Sequence, residues 1–195
     1  MNKLMGFYEL KDINIPTAPW ETYSKDVVLD SSMLWTIRVA VKSGDDLNLP
    51  RAVGVTAEAA ASKGNVLLEK YRDIGIVIYY PYFIADKSGV IDIKGNRTVI
   101  EAVDKDLWNL VTHGRKDITI ILEDASAKHI GNEDFLSTEE LDTLLKYVNR
   151  IKSYYREVMN EGKSIIAEWS FAYNTDIDHR PLGEKHLVFY ELRSI

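Results

Sequence analysis

Apolar positions along this chain recur with two different periods, and the change of period divides it into elements. From Met33 to Val41 the run Met-Leu-Trp-Thr-Ile-Arg-Val-Ala-Val is apolar and partly β-branched, which predicts a buried strand with Arg38 embedded in it. Ile74 to Ile84 predicts another strand, interrupted at Pro81, which cannot donate to a ladder and so suits an edge or a hinge. Shorter runs at Ser88 to Ile93, Arg97 to Val103 and Ile118 to Leu122, with Gly89, Gly95-Asn96 and Gly114 supplying turns, predict a β-rich middle. The period then lengthens. Ser137-Thr-Glu-Glu140 is a capping box, and Leu141, Leu144, Leu145, Val148, Ile151, Tyr154, Tyr155 and Val158 follow at helical spacing, with Gly162 as a stop. The other face of that helix, Lys146, Asn149, Arg150, Lys152 and Arg156, is expected to be solvated. Thr56 to Tyr71 is helix-forming, but Gly64 in its middle costs roughly 1 kcal/mol relative to alanine, so one helix or two short ones are both open. The first 30 or so residues carry no clear period and read as irregular or as short strands. Strands and helices mixed without regular alternation predict an α+β fold.

Two strands near the C-terminus break the apolar rule. Ser164 to Tyr173 carries Glu168, and His186 to Ser194 carries Glu191 and Arg193, where core residues are expected. Alternation puts Ile166, Glu168 and Ser170 on one face, and Leu187, Phe189, Glu191 and Arg193 together on one face of the other strand. Paired as a hairpin, the two segments would bring both carboxylates to one surface. Like charges opposed across a ladder cost roughly 0.2 to 1 kcal/mol, and more away from water, so a compensating partner is expected. A hard divalent cation such as Mg2+, held by the two carboxylates together with phosphate oxygens, is one answer, with Arg193 beside it. The other is that both acids are solvated and Arg193 is their salt-bridge partner.

Composition narrows the classes. The chain has 195 residues and no cysteine, which excludes disulfides, thiolate metal sites and cysteine nucleophiles and is compatible with a cytoplasmic setting. Without repeats, low-complexity tracts or a Gly/Ser linker, residues 1–195 are expected to form a single domain. A net charge of −6 with dispersed lysines and arginines argues against nucleic acid, and the lack of a long apolar run argues against a membrane. A buried Arg38 needs an anion, either a structural carboxylate or a ligand phosphate. The cluster Tyr79, Tyr80, Tyr82 and Phe83 could surround an aromatic base or simply pack in a core. His113, His129, His179 and His186 read as ordinary surface or turn residues.

Several short segments share their order and wording with a known family. They are Thr36-Ile-Arg38 with Asp45-Asp-Leu47, Ile76 to Ile84 with Ala85 to Val90, and Val99-Ile-Glu-Ala102 with Val111-Thr-His-Gly114 and Asp117. Leu136 to Leu141, Ala167-Glu-Trp169 and Glu191 to Ile195 complete the series. In this order they resemble the nucleotide-binding domain of phosphoenolpyruvate synthase and pyruvate phosphate dikinase, an ATP-grasp fold, in a shortened and divergent form. The resemblance runs from about Trp35 to the C-terminus and leaves residues 1–35 as a shortened N-terminal part. It implies an ATP-grasp-like fold, an antiparallel sheet packed against a long amphipathic helix, with Mg2+ and ATP as ligands. Glu168 and Glu191 become metal ligands, Glu191 replacing a glutamine. Arg38 and Arg193 become the catalytic phosphate contacts, and Tyr80, Tyr82 and Phe83 lie where the base would bind.

The departures matter too. The family's Gly-Gly-Lys segment has no counterpart in residues 1–35, and its glycine-rich loop is replaced by Asp104-Lys-Asp-Leu-Trp-Asn109, where Lys105 or Trp108 would obstruct a phosphate. Neither a phosphohistidine domain nor a phosphoenolpyruvate barrel is present. The expected function is therefore a Mg-nucleotide binding domain that passes a phosphoryl group on with the help of a partner subunit supplying the missing domain. The alternative is a catalytically inactive ATP-grasp-like scaffold serving regulation or assembly.

Overall fold

The computed structural model describes residues 3–41, 49–124 and 126–195; the Asp45-Asp-Leu47 segment lies outside them. Strand β2 (Trp35–Val41) is buried at every position because both of its faces are covered. Trp35, Ile37, Val39 and Val41 meet Ala60 and Leu67 of helix α2 (Ala57–Tyr71), while Ala40 on the opposite face joins a second cluster. With β1 (Glu21–Thr22), β3 (Arg51–Val55) and β4 (Gly75–Pro81), β2 forms an antiparallel sheet in the order β1-β4-β2-β3. Helix α2 is a single element. Its Gly64 is a packing requirement, since a Cβ there would lie 2.5 Å from the Tyr23 ring and 2.6 Å from Ile37 Cδ1.

The chain leaves this sheet at Pro81, and Tyr82 donates its amide to Leu34 O at 2.8 Å. The turn point predicted at Pro81 is thus the crossover between two lobes. Beyond it, β5 (Phe83–Lys94), β6 (Arg97–Asp104), β7 (Ile118–Glu123), β8 (Ser126–Gly131), β9 (Ile165–Thr175) and β10 (Pro181–Ser194) form a second antiparallel sheet, ordered β10-β9-β5-β6-β7-β8. Helix α4 (Thr138–Tyr154) packs Leu144, Val148 and Ile151 against one face of it, over Ile91, Ile100, Ile120, Trp169 and Phe189. Its capping box is formed as expected, Ser137 Oγ accepting from the Glu140 amide at 3.2 Å and Glu140 Oε2 from the Ser137 amide at 2.9 Å. The helix breaks at Tyr155, earlier than the Gly162 stop, and a short α5 (Arg156–Asn160) follows. The face expected to be solvated is so, with Lys146, Asn149, Arg150 and Arg156 exposed and Lys152 half-buried, and Arg150 Nε also donates to Ile13 O at 2.7 Å.

Residues 3–34 correct the expectation of irregular or strand structure. They form α1 (Lys3–Asp12), a strap, and β1. Gly6 lets α1 lie flat on β10: a Cβ would stand 2.0 Å from Leu192 O. The strap then exchanges hydrogen bonds with Phe189 through Pro16 O at 2.8 Å and the Ala18 amide at 3.3 Å, along an edge strand of the large sheet, before β1 pairs with β4 on an edge of the small one. Among the described residues no helix is long and apolar enough to cross a membrane.

Candidate functional site: a cleft between the two sheets

Strands β9 and β10 pair antiparallel, and their register sets Glu191 directly opposite Glu168. The shift of register between Phe189 and Glu191 is a bulge at Tyr190, and it corrects the simple alternation. Leu187 and Phe189 face the α4 core, as does Leu192, whereas Tyr190, Glu191 and Arg193 turn to the opposite face with Glu168 and Ser170. The bulge lets one strand contribute both to the core and to a polar surface.

That surface is the floor of a cleft of about 670 Å3 between the sheets, within the ordinary range of roughly 300 to 1,000 Å3 for a small-molecule site. Thr36, Arg38 and Tyr80 of the small sheet form its roof, and Tyr82 to Ala85 of the crossover close one wall. The facing wall comes from Lys105 to Trp108 and Val111, on and before helix α3 (Trp108–His113), an element the sequence reading did not anticipate. Arg38, Tyr80, Tyr82, Phe83, Glu168, Glu191 and Arg193, the seven residues picked out from sequence, all border this one cleft. Arg51, Ser88, Lys105, Asp106 and Ser170 border it too and were not proposed as ligand contacts from sequence.

Four charges make its polar end. Arg193 NH2 lies 2.5 Å from Glu191 Oε1 and 3.6 Å from Glu168 Oε1, bridging the opposed acids. Arg38 reaches Glu191 Oε2 from the other lobe at 3.8 Å. Glu191 is 5% exposed and Arg38 8%, so neither is solvated. Burial opposes the Arg38 charge, but the Tyr80 hydroxyl and Glu191, with Glu168 behind them, outweigh it and hold the guanidinium above its ordinary pKa. Within the chain, the carboxylate that Arg38 reaches is Glu191. Beside this quartet the Ser88 and Ser170 hydroxyls share a hydrogen bond of 2.8 Å. Burial, then the Glu168 charge, push the Tyr190 phenol well above its usual value.

The aromatic wall is divided in its duties. Tyr80 stacks on Phe83 at 6.5 Å, Phe83 meets Tyr190 at 5.8 Å, and all three pack with Trp20 in the core between the lobes. Tyr79 faces away, toward Tyr23 and Trp35. Tyr82 touches the His179 ring at 5.8 Å, which gives His179 a place near the cleft that its sequence context did not suggest.

Opposite, the loop Asp104–Asn109 puts Lys105 at φ +59°. A left-handed conformation costs a residue with a Cβ roughly 1 to 2 kcal/mol. The Lys105 ammonium lies 3.3 Å from Asp86 and 3.7 Å from Asp104, with its side chain 61% exposed. The conformation is held by the Lys105 amide, which donates to Asp86 O at 2.9 Å, and the ammonium pairs add about 0 to 1 kcal/mol.

No group of three or more histidine or acidic residues suited to a metal occurs among the described residues. Glu168 and Glu191 would be a partial donor set for Mg2+, which takes one or two carboxylates and completes its shell with waters and phosphate oxygens.

No protein-family model matches this chain, and no curated protein does. Solved structures do. N5-carboxyaminoimidazole synthetase from Staphylococcus aureus aligns with a TM-score of 0.51 at 11% identity, over 98% of this chain and 43% of that one. D-alanyl-alanine synthetase A from Vibrio cholerae O1 biovar eltor aligns with a TM-score of 0.52 at 9% identity, over 98% of this chain and 54% of the other. The chain spans about half the length of these structures. At such identities the likeness establishes the fold alone, and the fold is ATP-grasp-like.

Proposed function

We propose that the cleft binds ATP with Mg2+, and that the chain is a nucleotide-binding domain related to those of phosphoenolpyruvate synthase and pyruvate phosphate dikinase, transferring phosphoryl with a partner subunit. The observation that carries this reading is the convergence of all seven sequence-derived residues on one cleft of suitable volume, between the lobes of an ATP-grasp-like fold. In it Glu168 and Glu191 hold the metal, Arg38 and Arg193 contact phosphate, and the base lies along Tyr80, Tyr82 and Phe83. Bound Mg2+ would neutralise charge on the phosphates. The chain's own part is positioning and charge balance.

Those residues fit the role with one condition. Arg193 bridges the two carboxylates, so it must leave them for a cation to take its place, and a phosphate anion gives it somewhere to go. Metal and nucleotide should therefore bind together and weakly apart. The same bridging favours a second reading, a scaffold in which the ion pairs are structural and the chemistry is lost.

Thermal unfolding with ATP, with Mg2+ and with both separates the two. A joint ligand at 100 times its dissociation constant stabilises by about 2.7 kcal/mol. The nucleotide reading expects a shift with both together that exceeds the sum of the separate shifts and disappears in Glu168→Gln, whose carboxylate is the less buried of the pair. Absence of any shift at millimolar Mg-ATP would leave the scaffold reading.

A further inference from the structure

The break between α4 and α5 opens a notch on the α4 side of the large sheet, across that sheet from the cleft. Asn149, Lys152 and Ser153 come to it from α4, Arg156 and Met159 from α5, and Gly95 from the tip of the β5–β6 hairpin. Its volume is about 350 Å3, at the small end of the range for a small-molecule site. The notch is preformed, because the Tyr155 ring at the break is buried in the core and its hydroxyl donates to Glu9 of α1. We propose that this notch binds a small organic oxyanion, its carboxylate or phosphoryl oxygens held between Lys152 and Arg156 and its carbon skeleton lying against Met159. The site does not depend on the nucleotide reading, since the cleft lies on the opposite face of the sheet.

Every polar side chain at the notch can donate a hydrogen bond, and no carboxylate borders it, in a chain with 30 acidic side chains against 24 basic ones. Neither Lys152 nor Arg156 makes an ion pair among the described residues, so two like charges border one space without a counter-ion. Lys152 is also half-buried where Lys146, Arg150 and Arg156 are exposed, and burial holds its ammonium below the ordinary lysine value. A helix end favours a cation, and Lys152 stands in the last turn of α4, but an exposed side chain would meet that role equally well. A desolvated cation without a partner gains from an oxyanion, whose charge-assisted hydrogen bonds replace the lost water. Met159, partly buried against the core, supplies the apolar floor for the remainder of the ligand.

Proton–carbon NMR of the lysine Cε and methionine methyl groups of the full chain, titrated at constant ionic strength with citrate, glycerol phosphate and inorganic phosphate, tests this. An organic probe should move the Lys152 and Met159 signals together and saturably, and the Lys152 ammonium should titrate at higher pH with the probe bound than without it. Lys152→Gln and Arg156→Gln should each bind the tighter organic probe about tenfold more weakly, while Lys146→Gln, which removes a cation from the same helix outside the notch, should bind it as wild type does. Tighter binding of citrate assigns carboxylates to the site, and tighter binding of glycerol phosphate assigns a phosphoryl group. Inorganic phosphate that binds as tightly as both, without moving the Met159 methyl, overturns the organic ligand. Equal weakening by all three substitutions, or no saturable change at Lys152 with any probe in the millimolar range, overturns the site.

Discussion

Glu140 shows how much one side chain can carry. Its carboxylate completes the capping box of α4 and accepts from Lys87 at 2.6 Å and Lys185 at 2.8 Å, while only 6% exposed. Burial pushes its pKa up, but the hydrogen bonds from Lys185, Lys87 and the Ser137 amide prevail and hold it below the usual carboxylate range. A folded-state value below the unfolded one means stability that is present above the ordinary glutamate value of about 4.3 and is lost as pH falls through the folded value. Glu140→Gln should thus cost about 1 to 3 kcal/mol at pH 7 in urea denaturation, and the gap from wild type should shrink below pH 4. A gap that is independent of pH would mean the charge contributes nothing. The capping role was readable from Ser137 and Glu140 alone, while the two lysines come from β5 and β10 and no local pattern points to them. The cleft residues divide the same way. Glu168, Glu191 and Arg193 announced themselves as charges inside apolar strands, whereas Arg51 and Lys105 sit in exposed segments where a cation is unremarkable. The bulge at Tyr190 escaped because alternation assumes an unbroken strand.

At the scale of elements, strong periodicity was legible and tertiary dependence was not. β2, β6 and β7 follow their apolar patterns closely, whereas β5 already begins at Phe83, ahead of the expected Ser88, and α4 ends at Tyr154. Helix α1 contains Gly6 and shows no apolar stripe, so it is held by its contact with β10 rather than by propensity. Strand β8, Ser126–Gly131, is an exposed polar edge with nothing to mark it except its partner β7. Gly64 is the sharpest case. Propensity alone makes Gly64→Ala stabilising by about 1 kcal/mol. Packing reverses the sign, because the added Cβ meets Tyr23 and Ile37 well inside van der Waals contact, and overfilling a core costs roughly 1 to 3 kcal/mol. Gly64→Ala should therefore lower the melting temperature by several degrees. A rise would show that α2 sits further from β2 than the structure has it.

At the scale of the molecule, the cleft exists because two sheets are held apart at a fixed distance, and the segment that holds them is the strap. Trp20 is 3% exposed and lies between the lobes, touching the Phe7 ring at 5.6 Å and the Tyr8 ring at 5.3 Å, with its indole N–H donating to Phe7 O at 3.2 Å. Its cluster draws Ala40, Ile78 and Tyr80 from the small sheet and Ala172 and Val188 from the large one. Both lobes lose packing if this cluster opens, so they should unfold as one unit, with the calorimetric enthalpy equal to the van't Hoff value. Trp20→Ala removes the largest side chain common to both, at a cost of about 3 to 5 kcal/mol. Its second consequence is more diagnostic. With the shared cluster gone, the lobes keep their separate cores, α4 on one sheet and α2 on the other, and calorimetry should resolve two transitions where the wild type has one. Hydrogen exchange should assign the lower of them to β1 through β4, whose sheet is the smaller and whose core lacks the long helix. A single, equally cooperative transition in Trp20→Ala would mean that the Arg38–Glu191 ion pair and the Pro81 crossover suffice to couple the lobes, and the strap would then be a cover for sheet edges rather than the element that sets the cleft.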